Sequence, residues 1–220
     1  MINFTTQTPY RDMMTLRKVV HHIADDLLYG VFNRIMQKRR FYHGVSHILQ
    51  MWNIHLQLAE TYPDIAPDGI MVAYAILYHD AIYDAQAKDN EYQSAELWKA
   101  HATKSKLYLP SHELNLEEVD LVYRAIMATA DHFAPREPNA FIEWIVGLDL
   151  ASLACPREEF TANTQMIRME YGHISDEVWL AGRGGFLKNV NSTPEIYRHF
   201  LLRDQFEENA RANIKDALGI

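Results

Sequence analysis

The feature that most limits the fold of this chain is the spacing of its apolar residues, which recurs at three and four positions almost everywhere. Ile48, Met51, Trp52, Leu56 and Ala59 show this spacing, and alternation with a period of two is not sustained anywhere. A period near 3.6 places such residues on one face of an α-helix, whereas a half-buried strand needs a period of two. The sequence therefore predicts an all-α fold.

Capping residues mark where the helices begin. Asp68 precedes an apolar stretch that runs to Tyr83, and Asn90 opens a helix that extends to about Lys104. Further starts are indicated by Asn115 with Glu118 in a capping-box pattern, by Asn139, by Ser175, and by Thr193 followed by Pro194. Breaks are predicted at 63–67, 109–111, 135–138, 156 and 182–185. All of these breaks are short, so we predict one domain of about eight to ten helices over residues 1–220.

Composition narrows the classes of function. Hydrophobic residues make up 48% of the chain, which is enough for a buried core, and 21 basic against 29 acidic residues give a net charge of −8. Such an acidic balance disfavours binding to nucleic acid polymers or to anionic membranes. Cys155 is the single cysteine, so a disulfide framework is excluded. Residues 1–12 lack a secretory pattern. The longest apolar run, 69–78, is far shorter than the ~20 residues of a membrane span. We therefore expect a cytoplasmic protein.

The pair His79-Asp80 ends a segment, residues 70–77, that is apolar on all sides. Such a segment is typical of a buried helix, and burying an imidazole beside a carboxylate is costly unless partners or a metal ion compensate. The pair is thus either a metal-binding site or a core histidine bonded to its own neighbours.

Two further segments carry candidate ligands. His43 and His47 are four residues apart, so on a helix they share one face. A zinc-protease pattern needs Glu directly after the first histidine, and Gly44 stands there instead. Asp149 lies in an apolar stretch and needs a partner in the core, which is a metal ion, a backbone N–H group or an arginine.

The order of His47, His79-Asp80 and Asp149 on an all-helical chain resembles that of the HD superfamily of metal-dependent phosphohydrolases. The local sequence is similar to a bacterial subgroup of predicted phosphohydrolases in the segments Arg40–Ile48, His79–Asp84, Asn90–Ala95, Thr129–His132, Asp149-Leu150, Arg168–Tyr171, Arg183 and Glu208–Asn213. The likeness runs from about residue 35 to 215. It implies an HD-type helical bundle with a motif core at about 35–155 and C-terminal helices, 156–220, packed on it.

The resemblance implies that His47, His79, Asp80 and Asp149 bind a divalent metal ion. Two neutral imidazoles and two carboxylates carry a charge of −2, which balances one such ion. The donor set leaves open Mn, Mg, Fe, Co, Ni or Zn, and one ion or two. Because neighbouring helical residues point ~100° apart, either the helix is distorted at His79-Asp80 or Asp80 bridges to a second ion.

A more distant likeness, to the cyclic-nucleotide phosphodiesterases, concerns the segment from Tyr42 to His47. It implies that His47 is a ligand and that His43 is an acid near the leaving group, although Gly44 replaces the asparagine of those enzymes and a cyclic-nucleotide substrate does not follow. Glu91 is a candidate base or a ligand of a second ion, His132 is a candidate acid or a further ligand, and Asp84 is another catalytic candidate. The candidate phosphate-binding residues are Arg40, Arg168 and Arg183. Each of these also has an ordinary interpretation as a surface charge, a helix-end charge or a member of an ion pair.

We therefore expect a metal-dependent phosphohydrolase that cleaves a small phosphate ester, a nucleotide among the candidates, with a metal-activated water. Two other classes stay open. A di-iron oxygenase on a similar scaffold usually has more histidines between the His-Asp pair and the last aspartate than His101, His112 and His132. The other class is a non-catalytic sensor that binds a nucleotide or a metal ion. The sequence predicts no nucleic acid polymer and no membrane as partner, and it leaves a homodimer open.

Overall fold

The computed structural model describes residues 2–4, 9–107 and 114–220, with the side chains of residues 9–12 outside that description. The described residues form ten α-helices and one short 3₁₀ helix, and they contain no strand. The helices are α1 (Pro9–Val19), α2 (Asp25–Ile35), α3 (Val45–Thr61), α4 (Gly69–His79), α5 (Asn90–Lys104), α6 (Leu116–Ala128), α7 (Ala140–Asp149), α8 (Arg157–Glu170), α9 (Asp176–Ser192) and α10 (Phe200–Leu218), with the 3₁₀ helix at Leu150–Ala154. The prediction of an all-α fold with eight to ten helices is confirmed.

Helix α4 lies at the centre of the bundle. All of its residues from Met71 to His79 are buried, and it packs against α1, α3, α5, α6 and α7. The aromatic residues Trp52, Tyr74, Tyr78 and Trp144 are almost fully buried around it, so they belong to the core. The C-terminal part joins this core through α10, which packs on α7, on α9 and on the 3₁₀ helix.

Most of the predicted helix starts agree with the structure. The side chains of Asp68, Asn139 and Ser175 each accept a hydrogen bond from the first turn of the helix that follows. Asn115 and Glu118 form the full capping box at the start of α6. The helix that Asn90 opens ends at Lys104 as expected.

Two predicted boundaries are wrong. Thr193 ends α9 instead of starting a helix, since its hydroxyl donates to the Val190 carbonyl at 2.7 Å, and α10 begins at Phe200. The expected break at 182–185 lies inside α9, although each glycine in a helix costs about 1 kcal/mol relative to alanine. The expected break at 109–111 lies outside the described residues.

Within the described residues, no helix has both the length and the apolar character needed to cross a membrane.

Candidate metal centre

Three buried side chains converge where α3 meets the end of α4. His47, His79 and Asp80 each offer a ligand atom, and these atoms all lie within 4.8 Å of one another. The Nε2 atoms of His47 and His79 are 3.2 Å apart, and Nε2 of His79 is 3.2 Å from Oδ2 of Asp80. This group could hold a metal ion.

The end of helix α4 brings the adjacent residues His79 and Asp80 to one point. Asp80 is the C-terminal cap, and its φ of −110° and ψ of 21° depart from the helical conformation. Adjacent residues within a helix point in different directions, so a distortion was expected if both were to bind one ion. The helix end at Asp80 provides this distortion. The ring of His79 is fixed as well, because its Nδ1 donates to the Ile76 carbonyl at 2.8 Å. In the neutral ring this bond leaves the lone pair on Nε2, which faces the group.

Asp149, the last residue of α7, joins the group from a third helix. Its Oδ1 lies 3.0 Å from Nε2 of His47 and 3.7 Å from Nε2 of His79. Its Oδ2 lies 2.7 Å from Nε2 of His132, in the loop after α6. The structure thus brings together the four sequence-predicted ligands and adds His132 beside them.

The polar atoms of this centre fit a divalent cation. Nε2 of His47, Nε2 of His79 and Oδ2 of Asp80 belong to buried residues, and the His79 nitrogen lies 3.2 Å from each of the other two atoms. A buried polar group is costly when it lacks a partner, and two imidazole nitrogens with two carboxylates are a donor set that first-row divalent metals accept. A divalent ion would also balance the two negative charges.

The charges of the centre perturb one another strongly. Burial lowers the pKa of His79, but the charge of Asp80, a hydrogen bond to it and the charge of Asp149 outweigh burial and raise that pKa to about 9. For Asp80, burial raises the pKa, and the charge of His79 outweighs it and lowers the pKa to about 2. A proton and a metal ion therefore compete for the His79 nitrogen.

His43 lies just before α3, so it does not share a helical face with His47. Its Nδ1 is 2.6 Å from Oε2 of Glu170, and its ring stacks on Tyr83 with 4.3 Å between ring centroids. Glu170 also accepts the backbone N–H groups of Tyr42 and His43 at 2.8 and 2.9 Å and the Tyr83 hydroxyl at 3.0 Å. Burial lowers the pKa of His43, but Glu170 and the charges of Asp80 and Asp149 outweigh it and raise that pKa.

The sequence analysis did not single out Glu170 as a functional residue. It lies 127 residues from His43 in the chain, and the signal available was its place in the segment Arg168–Tyr171 that resembles the phosphohydrolases.

A pocket of about 570 Å³ opens beside the centre, a volume within the range of ligand sites. Asp80, His43, Asp149 and His132 line its polar side. The rest of its wall includes the predicted residues Glu91 and Arg183. It also contains apolar and aromatic residues of α8, of α9 and of the turn between them, which are Ile167, Tyr171, Ile174, Val178, Trp179 and Phe186.

Three of the predicted catalytic and phosphate-binding residues lie outside this pocket lining. Arg40 donates to the backbone carbonyls of Asp80 and Ala81 and so holds the chain just after α4. Arg168 donates to Asp176 and to two carbonyls of the turn between α8 and α9. Asp84 is exposed, and its backbone N–H and C=O pair with the side chain of Asn90.

Two arginines hold the loop that carries His132. Arg136 donates to the carbonyls of Asp131 and His132, and Arg198 donates to those of the next two residues, Phe133 and Ala134. The buried carboxylate of Glu143 accepts hydrogen bonds from Nε and Nη2 of Arg136, both at 3.0 Å. Its Oε1 also lies 3.9 Å from Nη1 of Arg198. We call Arg136, Glu143 and Arg198 the carbonyl clamp.

No protein-family model matches this chain, and neither a curated protein nor a solved structure matches it. The resemblance to the HD superfamily therefore rests on the sequence motifs alone.

Proposed function

We propose that this chain is a metal-dependent phosphohydrolase that cleaves a small phosphate ester. The observation that carries the proposal is the convergence of His47, His79, Asp80 and Asp149, from three different helices, at the side of a ligand-sized pocket. The order of the same residues along the chain, which resembles that of the HD superfamily, supports it independently.

The charge of the pocket supports a phosphorylated substrate once a cation is bound. A divalent ion held by these residues would lower the pKa of a bound water to about 7 and offset charge on a phosphoryl oxygen. Asp80, Asp149 and Glu91 give the lining three formal negative charges, and Lys88 and Arg183 give it two positive charges. The pocket with one divalent ion then has a net charge of about +1, which favours an anionic substrate.

His43 is placed to act on the leaving group. Glu170 engages Nδ1 and fixes the ring, which leaves Nε2 as the nitrogen available to the pocket. The raised pKa of the ring favours its protonated form, which can donate a proton to the departing oxygen. Glu91 lines the same pocket and is our candidate for accepting a proton from the attacking water.

Metal analysis followed by a phosphate-release assay tests this proposal. We expect the purified protein to contain a first-row divalent metal, and to release phosphate from a panel of nucleotides and sugar phosphates with added Mn²⁺ or Mg²⁺. His79→Ala and Asp80→Ala should abolish metal binding with nearly unchanged helical content by circular dichroism, whereas His173→Ala, at an exposed histidine, should not.

Other outcomes would replace the proposal. Unchanged metal content in both variants removes the ligand assignment. Bound iron with substrate-dependent O₂ uptake identifies an oxygenase, and tight retention of a nucleotide without turnover identifies a sensor.

A further inference from the structure

Arg183 places a partly buried guanidinium in the wall of the pocket without a carboxylate partner. In the described part of the chain it forms no ion pair, and its Nε is buried without a hydrogen-bond partner. Its contacts are a 3.4 Å bond from Nη2 to the Thr164 hydroxyl and the face of Phe186, 5.2 Å from Cζ to the ring centroid. A guanidinium has five N–H donors, so most of its bonding capacity is unused.

Other partly buried arginines in the described part of the chain each have a carboxylate or several backbone carbonyls as partners. Arg136 pairs with Glu143, Arg168 with Asp176, and Arg211 with Glu207, while Arg40 and Arg198 donate to backbone carbonyls. A charge taken out of water without a partner is costly, so an unmatched guanidinium in a pocket indicates that an anionic ligand supplies the missing partner.

Arg183 enters the pocket lining from a helix that contributes none of the predicted metal ligands. It belongs to α9, whereas the four predicted ligands come from α3, from α7 and from the end of α4. Among the described residues, the carboxylates of Asp80 and Asp149 pair with histidines and form no ion pair with Arg183. Burial lowers the pKa of Arg183, and the charge of Tyr42 opposes that effect. A phosphoryl group at the metal centre would therefore leave Arg183 available for another part of the ligand.

The part of the pocket lining that accompanies Arg183 on α8 and α9 is largely apolar. Trp179, Phe186 and Ile167 line it, and next to Arg183 it also contains Gly182. A Cβ atom added to Gly182 would meet no other atom within 4 Å, so the space beside Arg183 is open. The wall thus suits a flat or apolar body that joins two polar ends.

We infer that the substrate is a phosphate ester with a second anionic group, a carboxylate or another phosphate, that binds Arg183 across an apolar or aromatic body. The inference rests on the proposed function for the identity of the first group. The second anion forms charge-assisted hydrogen bonds with the guanidinium, and the body of the substrate contacts Trp179 and the apolar residues near it.

A matched set of aryl phosphates tests the second group by turnover. We would compare two doubly anionic esters, 4-carboxyphenyl phosphate and 1,4-phenylene bisphosphate, with 4-carbamoylphenyl phosphate. The carbamoyl ester has the shape of the carboxyphenyl ester but no second charged group. The expected kcat/KM is about 10- to 100-fold higher for the doubly anionic esters. A preference for the carboxylate or for the bisphosphate identifies which anion the site takes, and equal values for all three esters overturn the inference.

Variants assign the effect to Arg183. Arg183→Met should remove the preference, and Arg183→Lys, which keeps the charge without the planar fork, should retain part of it. The control is Lys88→Met, which removes the other cation of the lining, exposed at residue 88, and should keep the preference. Loss of the preference in Lys88→Met with retention in Arg183→Met would overturn the assignment.

A binding measurement separates this inference from the proposed function. Calorimetric titration with 4-(phosphonomethyl)benzoate and with its amide, neither of which can be hydrolysed, should show about tenfold tighter binding of the benzoate that Arg183→Met abolishes. If that result is obtained and no ester is turned over, the hydrolase proposal fails and the anion site stands. If esters are turned over and the two phosphonates bind equally, or neither binds, the anion site fails and the hydrolase stands.

Discussion

His43 and His47, only four residues apart, have entirely different partners. His47 faces Asp149 and His79 in the buried centre, while His43 is held by Glu170 and stacked on Tyr83 at the edge of the pocket. The difference arises because α3 begins at Val45, so His43 precedes the helix and His47 lies in its first turn. This difference supports the proposed roles of the two rings, His43 as an acid and His47 as a ligand.

The role of His43 predicts a dependence on the leaving group. His43→Asn keeps a donor for Glu170 and removes the nitrogen available to the pocket. Turnover of an alkyl phosphate should fall by about 10²- to 10⁴-fold, because its leaving oxygen needs a proton. Turnover of 4-nitrophenyl phosphate, whose leaving group needs none, should fall less than about tenfold. Steady-state assays of the two substrates check this, with His173→Asn as control, and equal losses on both substrates would contradict the role.

His55 predicts a pH dependence of stability that is separate from the site. It is buried beside Trp52 and Trp144, and burial lowers its pKa to about 4 against the opposing charge of Asp68. The unfolded chain, with a histidine pKa of about 6.5, binds more protons below that pH than the folded chain does. The free energy of unfolding should therefore fall as the pH drops from 6.5 to 4, by up to about 3 kcal/mol, and this contribution should be constant above pH 6.5.

The comparison of His55→Leu with the parent protein isolates this effect. Urea unfolding in EDTA between pH 4.5 and 8 should show that the stability difference shifts in favour of the variant as the pH falls. His173→Leu, at an exposed position, should leave the pH dependence as it is. Parallel curves for His55→Leu and the parent protein would mean that folding does not shift the pKa of His55.

At this scale, sequence reasoning found the residues whose chemistry is unusual for their surroundings. His79-Asp80 and Asp149 were identifiable because each is polar within an apolar stretch. Glu170 was not identifiable in this way, since its stretch of α8 is polar and its burial depends on contacts with residues 42, 43 and 83. Arg183 could be named as a candidate, but the lack of an ion-pair partner is a property of the folded molecule.

At the scale of elements, helix starts were predictable because a cap is a local interaction between a side chain and the next turn. Asp68, Asn115 and Asn139 all illustrate this. The end of α9 was not predictable from Thr193-Pro194, because the segment that follows is held by distant contacts. Glu207 accepts the N–H groups of Ile196 and Tyr197, and Arg211 donates to the carbonyl of Thr193.

The glycines of α7 and α9 predict opposite effects of one substitution. A Cβ on Gly147 would lie 2.5 Å from Cδ1 of Leu202, which is fully buried, so Gly147→Ala should destabilise the protein by about 1–3 kcal/mol. A Cβ on Gly185 would meet no other atom within 4 Å, so Gly185→Ala should stabilise it by about 0.5–1 kcal/mol. Urea unfolding measures both changes, and a shift of the same sign in both would show that the packing of α7 on α10 differs from the one described.

The carbonyl clamp predicts that a residue outside the pocket lining tunes the site. Arg198→Met removes the donors to the Phe133 and Ala134 carbonyls and frees the loop that holds His132 against Asp149. A displacement of that loop should lower kcat by about tenfold or more with a smaller change in KM. Arg198→Lys should restore part of the rate, and Arg203→Met, which breaks an exposed ion pair with Glu195, should leave kcat unchanged. A change in KM alone would assign Arg198 to substrate binding instead.

On the scale of the whole molecule, the candidate centre connects helices that are far apart in the sequence. Its four predicted ligands span residues 47–149 and tie α3, α4 and α7 together at one end of the core. The centre contains two carboxylates, those of Asp80 and Asp149, and the chain as a whole has a net charge of −8. An ion bound there would act as a cross-link between the three helices, so metal binding and folding should be thermodynamically coupled.

This coupling predicts the effect of metal on thermal stability. At a free metal concentration 100 times Kd, the folded state gains about 2.7 kcal/mol, which for a chain of this size raises Tm by about 5–10 °C over the EDTA-treated protein. His79→Ala and His47→Ala should lose the shift, and His173→Ala should keep it. Because the pKa of His79 is raised to about 9 in the metal-free protein, protons compete with the ion, so the shift should grow as the pH rises from 6 to 8. Differential scanning calorimetry at several pH values measures this, and an equal shift in His79→Ala and the parent protein would place the metal elsewhere.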